Sequence, residues 1–463
     1  MSRYLAIPLS LLLWAGVAVC SANDPDGTTP LHHAALRNDV AAVKTLLAGG
    51  ASARAANRYG ITPLFLACRN GSAEVVKLLL DAGAELNSTV SHGETMLMTA
   101  ARTGDPQTVH LLIERGANVH AGESATGQTA LMWAAAEGHT EAVRVLLDAG
   151  ADLRARLESG FTPLLFAARE GHLDVIKVLL GAGADANDFV QPMKGAARVA
   201  RGPRAGTSAL QLAVTNAHYD LAAFLLESGA DPNFAESGWT ALHIITGVRK
   251  PGGGDNNPAP IGSGRTTSLD MVRKLKEHGA DLNARMTKRI SVGMTKLNTM
   301  GATPFFLAAR TADAPLMKLL AELGADPLIP NADNSTPLMA VAGLGTRSPG
   351  EDAGTEAEVV EALEVALALG NDLNAVDNNG ETAMHSAAYK NLPGAVETLA
   401  KNGADIAVWN RNNRFGWSPL RIAQGYRFGN YKPSAVTVAA IEKVLRAAGV
   451  PPAESTGGNR SDY

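Results

Sequence analysis

The stretch GITPLFLACRNGSAEVVKLLLDAGA, residues 60–84, decides the fold. Gly60 supplies a turn, the Thr62 hydroxyl suits the capping of a helix that starts after it, and Pro63 fits the first helical position, where no N–H is needed. Leu64, Leu66 and Ala67 give a short inner helix with one apolar side, which Arg69-Asn70-Gly71 breaks. Val75, Val76, Leu78, Leu79 and Leu80 then make an outer helix, and Gly83-Ala84 closes it where a left-handed residue is wanted. One such helix pair cannot bury its apolar face alone, so it requires neighbours of the same kind.

The neighbours are present. Thr29-Pro30-Leu31-His32, Thr62-Pro63-Leu64-Phe65, Thr95-Met96-Leu97-Met98, Thr129-Ala130-Leu131-Met132 and Thr162-Pro163-Leu164-Leu165 follow one another at steps of 33, 33, 34 and 33 residues. The pattern returns at Ser208, Thr240, Thr303, Thr336, Thr382 and Ser418, and the Gly-Ala ending at residues 116, 150, 183, 229, 279, 324 and 403. With this period and the T-P-L-H-x-A signature, the chain resembles ankyrin-repeat proteins. The resemblance implies an all-α repeat solenoid of stacked helix-turn-helix units with short β-hairpin fingers, about eleven repeats over residues 23–450. It also implies protein binding through the concave face and fingers.

Composition narrows the function classes. The 463 residues carry 41 Lys and Arg against 45 Asp and Glu, a net charge of −4, which argues against a globally basic nucleic-acid binder. Residues 1–22 read as a secretory signal: Arg3, an apolar run from Tyr4 to Val19, then Cys20-Ser21-Ala22 before polar Asn23. Cleavage is expected after Ala22, with Ser21 as the alternative, giving an exported protein, periplasmic or secreted, without a later transmembrane segment and monomeric. Cys68 then remains as a lone thiol in an alanine slot, a small buried hydrophobe by position. Residues 451–463 read as a disordered tail.

Departures from the period mark candidate binding loops. Insertions near 188–206 and 284–300 bring Lys194, Arg198, Arg201 and Arg204, and Arg285, Lys288, Arg289 and Lys296, to the finger side as a basic patch. Insertions near 249–267 and 344–356 fall between the helices of one repeat and are expected at the opposite end of the stack. Tyr59, Phe161, Trp239, Phe415 and Trp417 on fingers, with Arg69, Arg102 and Arg169 at inner-helix ends, complete the candidate partner-binding set, since aromatic and arginine side chains anchor interfaces.

The spacing offers no catalytic or metal motif. His32, His243 and His385 occupy the T-P-L-H slot and His139, His172 and His218 the turn slot; in the resemblance these hydrogen-bond between turns. No H-E-x-x-H, phosphate loop or G-x-S-x-G elbow occurs. Asp152, Asp185, Asp231 and Asp281 recur at one place in their repeats, as a structural ladder does. The reading is a non-catalytic interaction module with no cofactor, its partner another protein. Two alternatives stand beside it: an envelope enzyme or accessory subunit with chemistry in the insertions, and a cell-envelope surface binder using basic fingers.

Overall fold

The computed structural model describes residues 24–192, 204–251, 260–291, 295–427 and 432–454. Two compact units are formed, one ending at Ala155 and the other starting at Arg156. Each alternates short inner helices with outer ones, beginning with Pro30–Leu36 and Val40–Ala48 and ending with Pro419–Ala423 and Ala435–Ala447. The local cause is the repeated cap: Thr62 accepts a hydrogen bond from Phe65 N at 3.1 Å, and Thr303 one from Phe306 N at 3.2 Å. Each satisfies an N–H that the first helical turn leaves without a carbonyl. At the far end of the pair, Gly83 adopts φ +85°, and Ala84 N returns to Leu79 O at 2.9 Å.

Alanine-rich inner helices let successive units approach closely. Ala67, Cys68, Ala100, Ala101, Ala134 and Ala135 are fully buried in the first unit, with Leu79, Leu112 and Leu146 of the outer helices behind them. Burial pushes the Cys68 thiol up, as its inert position predicts. Gly104, at φ +88°, lies against the His139 ring, where a Cβ would come within 2.3 Å. That close approach lets His139 Nε2 bond Arg102 O of the preceding repeat at 2.9 Å.

The expected β-hairpin fingers take another form. Among the described residues the extended segments make only isolated bridges, such as Gly122 to Thr129 and Phe189 to Ser208. A tight turn closes the finger: Asn57 N donates to Ile61 O at 3.0 Å, and Asn57 Oδ1 accepts from Tyr59 N and Ile61 N, both at 3.0 Å. The recurring aspartates form the predicted ladder. Asp231 accepts from Asn233 N at 2.8 Å, and Asn233 Oδ1 accepts from Asp281 N of the next repeat at 2.7 Å.

Two expectations about irregular segments are corrected. Insertion 344–356 does not stay at the opposite end of the stack. The inner helix Pro337–Ala342 stops early at Gly343, φ +106°, and the chain turns so that Lys296 N donates to Gly345 O at 2.9 Å. Thr295 Oγ1 likewise donates to Leu344 O at 2.9 Å, joining insertions 284–300 and 344–356. The start of the tail is held rather than disordered: Asn410 Nδ2 donates to Pro451 O at 2.9 Å, and Asn410 Oδ1 accepts from Ala453 N at 3.1 Å. Residues 1–22 and the remainder of the tail lie outside the described residues.

Candidate functional site

In the second unit a finger edge gathers cations around one indole. Arg204 lies over the Trp239 ring at 5.3 Å, and Trp239 is half-buried. On the neighbouring segment Lys288 packs against Gly238, where a Cβ would meet its side chain at 2.6 Å, and its Nζ donates to Glu236 O at 2.5 Å. Thr287 N donates to Gly238 O at 2.9 Å. The described ends of the two basic insertions therefore flank one finger. Arg285 Nη2 donates to Pro330 O at 2.8 Å, and Arg289 stands exposed beside it in sequence. Lys194, Arg198 and Arg201 lie outside the described residues.

The other sequence candidates are not brought into this cluster. Phe161 is only 5% exposed and packs on Phe166 at 5.0 Å, so it belongs to the core and not to a contact surface. Trp417 is buried as well, against Phe415. Both rings sit just before a helix cap and turn inward, because covering the apolar finger base removes more surface from water than facing solvent. Arg169 covers Phe161 and Phe166 and pairs with Glu170 at 2.7 Å. Arg102 pairs with Glu94 at 3.1 Å over Trp133, while Arg69 and Tyr59 remain exposed.

A second feature was not legible in the motifs. Finger bases of successive repeats in the second unit border a cavity of about 490 Å³. It exists because Ser335 occupies the position just before the cap where Phe161, Trp239 and Trp417 stand in other repeats, and because Leu344 and Gly345 cross beside Leu297. Glu381, itself just before Thr382, lies in its wall and is 4% exposed. Its Oε1 accepts from Tyr389 Oη at 3.0 Å and from Asn413 Nδ2 at 2.8 Å, whereas its Oε2 has no partner among the described residues. Burial first, and the negative Asp377 second, push the Glu381 carboxyl up to about 8. Arg289, Lys296 and Arg414 also line the cavity, with Arg414 stacked on Phe415 at 4.7 Å.

Buried ion pairs fix the insertion that closes this region. Arg310 pairs with Asp352 at 2.5 Å, both nearly inaccessible, and Lys390 donates to Ala353 O. Arg249 grips Asp313 through two bonds of 2.7 and 3.0 Å. Burial lowers Lys390 to about 8, against the pull of Asp352. The motif histidines are structural: His243 Nδ1 accepts from Thr240 N at 3.1 Å and Nε2 faces Ala302 O at 3.1 Å, which places the proton on Nε2. His385 repeats this with Thr382 and Arg411. Burial lowers both imidazoles to about 4. Among the described residues no group of three or more His, Cys, Asp or Glu side chains could hold a metal ion. No described helix is long and apolar enough to cross a membrane.

Capped helix pairs, tied by histidine and asparagine ladders and stacked without a sheet among the described residues, define a helical repeat protein. The chain belongs to the ankyrin-repeat family: models of ankyrin repeats match residues 8–90, 97–190 and 356–399, and an ankyrin repeat model matches residues 205–236. It is 32% identical over 219 residues to the B-cell lymphoma 3 protein homolog of Mus musculus, covering 47% of this chain and 40% of that protein. It is also 32% identical over 230 residues to SH3 and multiple ankyrin repeat domains protein 2 of Homo sapiens, covering 45% and 11%. The chain spans less than half the length of these curated relatives. The crystal structure of the human ASB11 ankyrin repeat domain aligns with a TM-score of 0.43 at 24% identity, over 55% of this chain and 99% of that one. Ankyrin repeats are generally a protein–protein interaction module, and the family consists generally of non-enzymatic scaffolds.

Proposed function

We propose that this protein is an exported, non-catalytic scaffold that binds a protein partner on its inner-helix and finger side, using the basic finger edge around Trp239. The observation that carries the reading is the placement of Arg204 over Trp239 with Lys288 held on the other flank of the same finger. An aromatic ring and two cations fixed before binding lose little conformational freedom when a partner docks. Their charge favours a partner with an acidic surface. Export rests on the character of residues 1–22, and an alkaline-phosphatase fusion after Asn23 should be active outside the cytoplasm.

The test uses affinity capture from the native cell envelope with the full chain as bait. The double variant Trp239→Ala, Lys288→Glu should lose a retained protein that the Tyr59→Ala variant keeps. Unchanged retention by the double variant at low salt would remove this finger edge from the interface. Turnover by the purified chain, abolished on deleting 249–267 or 344–356, would overturn the non-catalytic reading.

A further inference from the structure

We propose that the cavity walled by Glu381, Tyr389 and Phe415 and bordered by Arg289, Lys296 and Arg414 is a binding site for a carboxylate attached to an apolar body. This goes beyond the protein-binding surface at Trp239 and does not depend on it. Three observations carry it. The cavity, about 490 Å³, has the size of a small-molecule site. Its charged lining is predominantly cationic, since Arg289, Lys296 and Arg414 outnumber Asp333, whose Oδ1 already accepts from Asn298 Nδ2 at 2.9 Å. Glu381 is nine-tenths buried or more, and one of its oxygens is left without a partner among the described residues.

The charge state of Glu381 and the cations around it select the ligand. Tyr389 and Asn413 both donate to Oε1, so a proton on the carboxyl belongs on Oε2. Burial and Asp377 hold Glu381 protonated at neutral pH, with Arg414 the cation that opposes them. Oε2 has no surface open to the cavity, so the neutral carboxyl acts on a ligand by leaving the cationic lining without a second negative charge. Arg414, Arg289 and Lys296 supply positive charge for a carboxylate, and Phe415, Leu297 and Leu344 supply apolar contact. An ammonium ligand would meet the cationic lining and no ionised Glu381, so the lining disfavours it.

The experiment is calorimetric titration of the full chain with 3-phenylpropionate, its amide and the matching amine, and with a capped dipeptide of glutamate and phenylalanine. The acid or the capped dipeptide should bind at least about ten-fold more tightly than the amide, the scale of one charge-assisted hydrogen bond. Whichever of the two binds better identifies the source, free organic acid or acidic side chain. Arg414→Gln, an exposed change checked for native melting, should weaken binding about ten-fold. In the parent chain affinity should fall above pH 8 as Glu381 ionises, and Glu381→Gln should bind at neutral pH without that fall. Preference for the amine, no binding by any probe, or indifference to Arg414→Gln would each overturn the assignment.

Discussion

The third and tenth repeats place a glutamate at the same register position and do opposite things with it. Glu94 precedes Thr95, and Arg102, seven residues after that threonine, pairs with it at 3.1 Å in reach of solvent. Glu381 precedes Thr382, but the residue seven further on is Tyr389, which offers a hydroxyl and no charge. Insertion 344–356 crosses beside the tenth repeat, and the third has no such cover. One position in the repeat therefore yields a partly exposed ion pair or a neutral buried carboxyl. The partner seven residues on, together with whatever seals the site, decides which.

The largest expected effect comes from removing the anchor of that cover. Asp352→Ala leaves Arg310 and Lys390 buried without their countercharge and should destabilise the second unit by about 3–5 kcal/mol in urea denaturation. A loss below about 1 kcal/mol would mean that the insertion is not held by this pair. Next is Glu381→Gln. The folded carboxyl, near 8, lies above its unfolded value of 4.5, so its contribution to stability is fully present below 4.5 and is lost as pH rises towards 8. The variant should remove that decline, about 1.4 kcal/mol per pH unit within the window, when the two denaturation profiles are subtracted.

His385 has the opposite sign. Its folded imidazole, near 4, lies below the unfolded 6.5, so its contribution is present above 6.5 and lost as pH falls towards 4. This chain already contains the replacement: Gln211 fills the same slot, accepting from Ser208 N at 3.0 Å and donating to Trp239 O at 2.7 Å. His385→Gln should keep the fold and flatten the acid limb by about 1.4 kcal/mol per pH unit; thermal melts from pH 4 to 7 measure it. The smallest effect belongs to the third repeat. Glu94→Gln breaks a partly exposed pair and should change stability by only about 0–1 kcal/mol, less at high salt.

What was legible in the sequence is what the backbone makes local. The Thr-Pro caps, the Gly-Ala endings, the histidine slot and the aspartate ladder each depend on residues a few positions apart or one period away, and each takes its place in the structure. The basic insertions were readable as charge, and their described ends do flank one finger at Trp239. Phe161 and Trp417 were not readable as buried, because their exposure depends on how neighbouring fingers close over them. The meeting of 284–300 with 344–356 depends on Gly343 ending a helix early, which the period conceals. Glu381 could have been noticed as a glutamate before a cap with no arginine seven residues beyond it. The cavity around it requires Ser335 and Gly345 from the preceding repeat, a coincidence that no single repeat displays.

The claim that the tenth repeat keeps a neutral carboxyl where the third keeps an ion pair is tested most directly by carbon-13 titration of glutamate side chains. Glu381→Gln would identify the resonance. A protonated Glu381 at pH 7 with a midpoint near 8 is the predicted result. A midpoint at the ordinary glutamate value would contradict it and would add a negative charge to the cavity wall.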